Sequence, residues 1–234
     1  MKNALITGAT KGMGRAIAFA FAKQGLNLAI CSRNIKDLEQ IKAELQSINQ
    51  QISIVTVQAD ASKKEQLLNF AQKAEAELGQ IHVIVNNVGI YQPTSIMDDA
   101  EDTFDVLMNA NLRPAYELYR YFGKKLAAAK DGHIFNICSI AAITPVIEAG
   151  TYTVTKAATL SLSNIMRLEM QQYGVKVTSV IPGSTLTSSW DGMAVDANKM
   201  VLPEDIASGV IAIYNMSAGA NVNEITITPV FGQI

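Results

Sequence analysis

Tyr152 and Lys156 stand four residues apart in a stretch without glycine or proline, so on a helix their side chains share one face. That pairing suits proton donation. A free tyrosine titrates at about 10, and a neighbouring ammonium favours the phenolate and brings the value down. Such a phenol can serve as a general acid. The spacing occurs twice, because Tyr121 and Lys125 repeat it. Ser139 separates the two cases. It ends an apolar run thirteen residues before Tyr152, across a strand-to-helix connection, whereas Tyr121 lies on the helix that precedes that run. Only Tyr152 and Lys156 are therefore expected at the carboxyl edge of a sheet, where open α/β sheets bind ligands. Tyr121 and Lys125 are expected to be a solvated helix face with a packed ring.

The chain opens on a second constellation, Thr7-Gly8-Ala9-Thr10-Lys11-Gly12-Met13-Gly14, between an apolar run and an Ala-rich helical stretch. A glycine loop between strand and helix brings bare backbone N–H groups, at the positive end of the helix dipole, up to an anion such as a pyrophosphate. The spacing Gly8-x3-Gly12-x-Gly14 is neither G-x-G-x-x-G nor a phosphate loop. After the second apolar run, Ser32 and Arg33 come where a carboxylate would bond the ribose 2′-OH of NAD, and residues 26–36 contain no Asp or Glu. Arg33, with Lys11 approaching from the glycine turn, suits the 2′-phosphate of NADP.

The elements that must hold these residues alternate. Apolar runs at 3–6, 26–31, 51–57, 81–85, 132–138, 175–181 and 222–228 read as seven strands. Helical stretches are expected at 16–22, 35–47, 102–129 as one long helix, 152–173, and onward from Pro203, a favoured first-turn residue. Ser62 and Glu65 form the pattern of a capping box. The expected fold is a single α/β domain over residues 1–234, a doubly wound, mostly parallel seven-stranded Rossmann sheet flanked by helices. Residues 188–200, with the sole tryptophan at Trp190, are the candidate substrate lid.

Taken together, Thr7-Gly8-x3-Gly12-x-Gly14, Asn86-Asn87-Val88-Gly89, Ser139, Tyr152-x3-Lys156 and Pro182-Gly183-x3-Thr187 resemble the short-chain dehydrogenase/reductase family from residue 5 to about 228. The resemblance implies Ser139, Tyr152 and Lys156 as the catalytic set, with Asn111 distorting its helix and holding water near the lysine. It implies cofactor contacts from Gly8, Thr10, Lys11, Gly12, Met13 and Gly14, from Ser32 and Arg33, and from Asp60 and Ala61 at the adenine. Asn87, Val88 and Gly89 would continue the site, with Val88 standing where the family usually has Ala. Tyr152 and Lys156 would meet the nicotinamide ribose, and Pro182, Gly183, Thr185 and Thr187 would lie along the nicotinamide. The family's frequent Gly-Gly after the last strand is replaced by Pro229-Val230-Phe231-Gly232. The function implied is NADP-dependent reduction of a ketone, or oxidation of the corresponding alcohol, without a metal. A 3-oxoacyl-acyl-carrier-protein reductase is the nearest alternative, and a non-catalytic NADP-binding regulator the more distant one. A methyltransferase would share the glycine turn without requiring Ser139, Tyr152 and Lys156 together.

Composition narrows the partners. A net charge of -2 gives no footprint for nucleic acid or an anionic membrane. The longest apolar run near the start is too short to span a bilayer, so a cytoplasmic protein is expected. Cys31 and Cys138 sit in strand-like runs, and His82 and His133 stand at strand starts. None of the four is expected to do chemistry. Apolar residues on more than one face of 152–173, among them Ile165 and Leu168 as well as Met166 and Met170, point to a homo-oligomer.

Overall fold

Seven strands lie side by side in the order β3-β2-β1-β4-β5-β6-β7, and every neighbouring pair is parallel. The computed structural model describes residues 1–190, 192 and 194–233. The strands are β1 Asn3–Thr7, β2 Asn27–Ser32, β3 Ile54–Gln58, β4 Val83–Asn86, β5 His133–Ile137, β6 Lys176–Pro182 and β7 Glu224–Ile227. The helices are α1 Gly12–Lys23, α2 Ile35–Ile48, α3 Lys64–Leu78, α4 Thr103–Asn111, α5 Arg113–Ala129, α6 Gly150–Met170 and α7 Pro203–Tyr214. The sheet is wholly parallel, where the sequence suggested mostly parallel.

Period-two alternation divides the core. Ile6, Leu28 and Ile30 pack with Ile17, Phe21 and Val210 on one face, whereas Leu5, Ile84 and Ile134 pack with Phe70, Leu118 and Phe122 on the other. Both faces of β1 are covered, and all five of its residues are buried, as expected for a strand flanked by helices on both sides. His133 is a buried polar side chain that finds its partners within this core. His133 stacks on Phe135 with ring centroids 3.9 Å apart and has its Nε2 2.9 Å from Thr178 Oγ1.

Two local expectations are corrected. The stretch 102–129 is two helices, broken at Leu112 (φ -110°, ψ -50°), and Pro114 follows directly in the first turn of α5. Proline cannot donate a backbone bond to the preceding turn, so the chain restarts there. The capping box at Ser62 is not formed. Instead, Asp60 Oδ1 accepts from the Ser62 N–H at 3.0 Å and from Ser62 Oγ at 2.7 Å, and α3 starts after Lys63. The aspartate two residues back takes the role because its carboxylate is a stronger acceptor than a hydroxyl.

Candidate active site

The carboxyl ends of β1, β4, β5 and β6 deliver their loops to one edge of the sheet, and the site is built there. The first loop is the glycine turn. Gly8 and Gly12 adopt φ of +65° and +53°, the left-handed region that glycine enters without strain. At Gly14 the requirement is space, since a Cβ would lie 2.3 Å from the Gly8 carbonyl oxygen and 2.4 Å from Asn87 Nδ2. Asn87 closes the turn from the side: its Nδ2 donates to Thr7 O and Gly8 O, each at 3.0 Å. Thr7 Oγ1 answers by accepting the N–H groups of Asn87 at 3.0 Å and Val88 at 3.1 Å. The first turn of α1 has no side-chain cap, so its amides are left to an outside acceptor. Valine at position 88 is accommodated, partly buried against the core.

The same turn reaches the end of β2. Thr10 Oγ1 donates to Ser32 Oγ at 3.4 Å, and Arg33 follows with an exposed side chain. Lys11 is exposed and sits 3.8 Å from Asp37 Oδ2 at the start of α2. Two hydroxyls thus meet between the glycine turn and the end of β2, with the exposed cations Lys11 in the turn and Arg33 just after Ser32. Asp60 and the buried Ala61 lie beyond β3, the carboxylate already turned toward Ser62. From the far side, Thr187 comes over the turn, its Cγ2 3.2 Å from where a Gly12 Cβ would be. Thr185 is buried and donates to Gly183 O at 2.9 Å, and Gly183 donates to Ile227 O at 2.8 Å after Pro182 ends β6. These residues fit a dinucleotide, because the dense cradle at Gly14 excludes a side chain while the first turn of α1 has no side-chain cap.

Ser139 follows β5 by two residues and starts a 3-10 turn over Ile140–Ala142 by accepting the Ala141 N–H at 3.2 Å. That turn packs directly on α6, which carries Tyr152 and Lys156. Lys156 is buried, its Nζ donating to Ile137 O at 3.2 Å and standing 5.7 Å from the Tyr152 ring centroid. An ammonium has three donors, and the Ile137 carbonyl takes one of them. A Cβ on Gly89 would lie 3.4 Å from Lys156 Nζ and 3.2 Å from Asn111 Oδ1, so the bare backbone there lets another group approach both. Asn111 is buried at the break between α4 and α5, where its side chain clamps Ile90. It accepts the Ile90 N–H at 2.7 Å and donates to Ile90 O at 3.1 Å and Thr155 Oγ1 at 3.0 Å. Its main-chain carbonyl accepts from Thr159 Oγ1 at 3.3 Å.

The second Tyr–Lys pair is elsewhere and is engaged rather than merely solvated. Tyr121 Oη donates to Glu75 Oε2 at 2.8 Å, and Lys125 Nζ bonds the same carboxylate and stands 3.9 Å from the Tyr121 ring centroid. Burial, followed by Glu75, raises the Tyr121 phenol, the opposite of what an acid catalyst needs. Burial shifts both cysteines and both histidines away from their ordinary titration. Burial pushes the Cys31 thiol up to about 12 and that of Cys138 up to about 11. Burial, helped by Lys176, takes His133 down to about 3. His82 is lowered by burial and accepts the Asn3 N–H at 3.1 Å.

Sequence reasoning named Thr7 only as the start of the glycine motif and passed over Tyr91. Thr7 carries two bonds of the turn, a role its β-branched hydroxyl inside a strand could have signalled. Tyr91 meets the Tyr152 ring edge-on, centroids 5.0 Å apart at 86°, and its only signal was an aromatic residue two positions beyond Gly89.

The short chain dehydrogenase family profile matches residues 2–197. A sepiapterin reductase from Chlorobaculum tepidum is 32% identical over 238 residues, covering 98% of this chain and 97% of that protein. Among solved structures, an alcohol dehydrogenase from the archaeon Thermococcus sibiricus, complexed with 5-hydroxy-NADP, superposes with a TM-score of 0.92 at 26% identity, covering 100% of this chain and 99% of the other. A metagenomic short-chain oxidoreductase in complex with NADP matches with a TM-score of 0.85 at 28% identity, covering 98% and 97% of the two chains. The match runs through the glycine turn, the Ser139 turn and the Tyr152 helix alike, and the chain belongs to the short-chain dehydrogenase/reductase family.

Proposed function

We propose that this protein is an NADP-dependent oxidoreductase that moves hydride between NADPH and a ketone or secondary alcohol, with Tyr152 as the acid and base. One observation carries the reading: the Lys156 ammonium, the Tyr152 ring and the Ser139 turn converge on the sheet edge that also bears the glycine turn. The names of the relatives, a reductase and an alcohol dehydrogenase, support a carbonyl and alcohol pair, and the NADP complexes support the cofactor.

In this reading Gly8, Gly12, Met13 and Gly14 offer backbone to the pyrophosphate, and Arg33, Ser32, Thr10 and Lys11 hold the 2′-phosphate. Asp60 and Ala61 border the adenine. Asn87, Val88 and Gly89 line the path to the nicotinamide, with Pro182, Gly183, Thr185 and Thr187 on its other side. The nicotinamide supplies the hydride when bound. Ser139 donates to the carbonyl oxygen and sets its direction. Tyr152 gives that oxygen a proton, and Lys156 favours the phenolate that remains. Asn111 keeps Gly89 and Ile90 beside the lysine. Residues 188–200 would form the lid, of which 191 and 193 lie outside the described residues. Among the described residues no helix is long and apolar enough to cross a membrane. A cytosolic location belongs to the proposal and agrees with two free buried cysteines.

Homo-oligomerisation is also proposed. Ile165 and Leu168 on α6 are half exposed while Met166 and Met170 are buried, so one apolar row faces the core and a second is left to cover. Beside it, Met108, Leu112, Tyr116 and Leu162 line a cavity of about 320 Å³. A monomer mass by light scattering at micromolar concentration would refute this part.

The test of the main reading is Tyr152→Phe, which keeps the ring and removes the proton. Positioned general acids contribute about 10²–10⁴-fold, so kcat for a reducible ketone should fall on that scale while NADPH affinity stays within a few-fold. A folded variant that turns over like the parent would leave a protein that binds the cofactor without using Tyr152.

A further inference from the structure

Two loops flank Tyr152, residues 89–99 beyond β4 and residues 140–149 ahead of α6. Both are anchored on the first turn of that helix. The Gly150 N–H donates to Thr94 O at 3.0 Å, and a Cβ on Gly150 would lie 2.6 Å from Ile96 Cγ1. Asp99 accepts from both Thr94 and Thr151, the residue before Tyr152. The loops that wall the cleft are thus held by the contacts that hold the helix. Asn111 extends the control: by bonding Ile90 through both main-chain groups it delivers the Tyr91 ring against Tyr152.

What the walls present is apolar and lacks positive charge. Neither loop contains Lys, Arg or His. Ile143 and Ile147 are 51% and 79% exposed, and Tyr91 is 40% exposed although its ring touches Tyr152. Of the three carboxylates, Asp98 is engaged by Ser95 and Asp99 by the two threonines, and Glu148 is exposed. The Tyr91 and Tyr152 rings meet edge to face with centroids 5.0 Å apart, and burial, then Tyr152 and Glu148, raises the Tyr91 phenol. An apolar ring entering there would exchange water for Tyr91 and the isoleucines. A carboxylate or phosphate would meet Glu148 with no loop cation to offset it.

We propose that Tyr91 is a specificity-determining residue whose ring forms one wall of the carbonyl site, and that the substrate is an uncharged apolar ketone or aldehyde with a ring. The proposal rests on the carbonyl-reductase reading and names its substrate class. The step is NADPH-dependent reduction: the carbonyl carbon gains hydride, its oxygen gains a proton, and NADP⁺ is released.

The experiment measures kcat and KM for acetone, acetophenone, methyl 4-acetylbenzoate and 4-acetylbenzoate with the parent, Tyr91→Ala, Tyr91→Phe and Glu148→Lys. The parent should prefer methyl 4-acetylbenzoate over 4-acetylbenzoate by at least about tenfold in kcat/KM. Tyr91→Ala should raise KM for acetophenone about tenfold and leave acetone nearly unchanged, and Tyr91→Phe should resemble the parent. Glu148→Lys should shift the preference toward 4-acetylbenzoate about fivefold at low salt, less at high salt. An equal fall in kcat for every ketone in Tyr91→Ala would make Tyr91 a support for Tyr152 only and overturn the proposal. Equal use of the ester and the acid by the parent would overturn the substrate class. Because turnover can fail for other reasons, calorimetric titration of acetophenone into NADP⁺-saturated protein gives a second readout: no binding, or binding unchanged in Tyr91→Ala, also overturns it. Loss of the underlying reading is separate, and would show as acetophenone reduction that survives Tyr152→Phe.

Discussion

Gly14→Ala tests the glycine turn most sharply, because two effects of opposite sign meet there. Gly14 lies inside α1 without a positive φ, so alanine would ordinarily favour the helix by about 1 kcal/mol. Against this, the new Cβ would fall 2.3 Å from the Gly8 oxygen and 2.4 Å from Asn87 Nδ2, so the turn must open by about an ångström to reach ordinary contact. Neither neighbour is a free end. The oxygen is backbone, and the amide is tied to Thr7 O and Gly8 O at 3.0 Å. Losing those two bonds costs about 1 kcal/mol each, and overpacking a dense site costs about 1–3 kcal/mol more. The steric side wins by roughly 2–4 kcal/mol, and NADPH affinity, which needs the closed turn, should fall roughly thirty- to several-hundred-fold. The assay is NADPH titration by fluorescence, alongside thermal unfolding. Gly209→Ala serves as comparison, since within α7 its Cβ meets only the methyl ends of Ile225 and Ile227 at 3.0 Å or more, and it should bind NADPH as the parent does. Parent-like affinity and melting in Gly14→Ala would refute the argument that this turn is closed by backbone and Asn87.

Arg33→Ala should weaken NADPH roughly ten- to a hundredfold and NADH far less, the value of a charge-assisted bond of about 1.5–3 kcal/mol; comparable affinity of the parent for both cofactors would end that assignment. Tyr121→Phe and Lys125→Ala should leave kcat within about twofold and lower stability by no more than about 1 kcal/mol in denaturant unfolding, because the Glu75 cluster is partly exposed and solvent-screened. His133 titrates near 6.5 when unfolded and at about 3 when folded, so the unfolded chain binds the extra proton and stability falls as pH drops below 6.5. The part due to this histidine should be about 2 kcal/mol between pH 7 and pH 5. Unfolding curves of the parent and His133→Gln that stay parallel over that range would contradict it.

The parts of the fold that were legible are those where local pattern and tertiary packing ask for the same residue. β1 and its turn were readable because burial on both faces demands an unbroken apolar run and the dinucleotide turn demands glycine. Strand ends moved by one to three residues, as at β3, where Gln51 to Ser53 are apolar enough only at Ile52 and pairing with β2 begins at Ile54. Only the family resemblance implied a distortion at Leu112, and local pattern alone did not show the break, because Asn111 is a tolerable helix residue. Its reason for being there is a long-range one, the bidentate hold on Ile90 twenty-one residues earlier. The same distance explains the second Tyr–Lys pair: spacing could not separate it from the first, and only Glu75 on α3 shows what it is for.

That hold on Ile90 also changes how the site should be thought of. Tyr152 and Lys156 are positioned by their helix, but the groups opposite them, Gly89 and Tyr91, are positioned by a side chain at a helix break. An alanine at 111 would leave α6 intact and free the loop. Its effect should therefore appear first in how the carbonyl compound sits against Tyr152, and only through that in proton transfer. The broken helix is in this sense part of the active site, since an unbroken one would carry Asn111 past the main chain of Ile90 rather than ending against it.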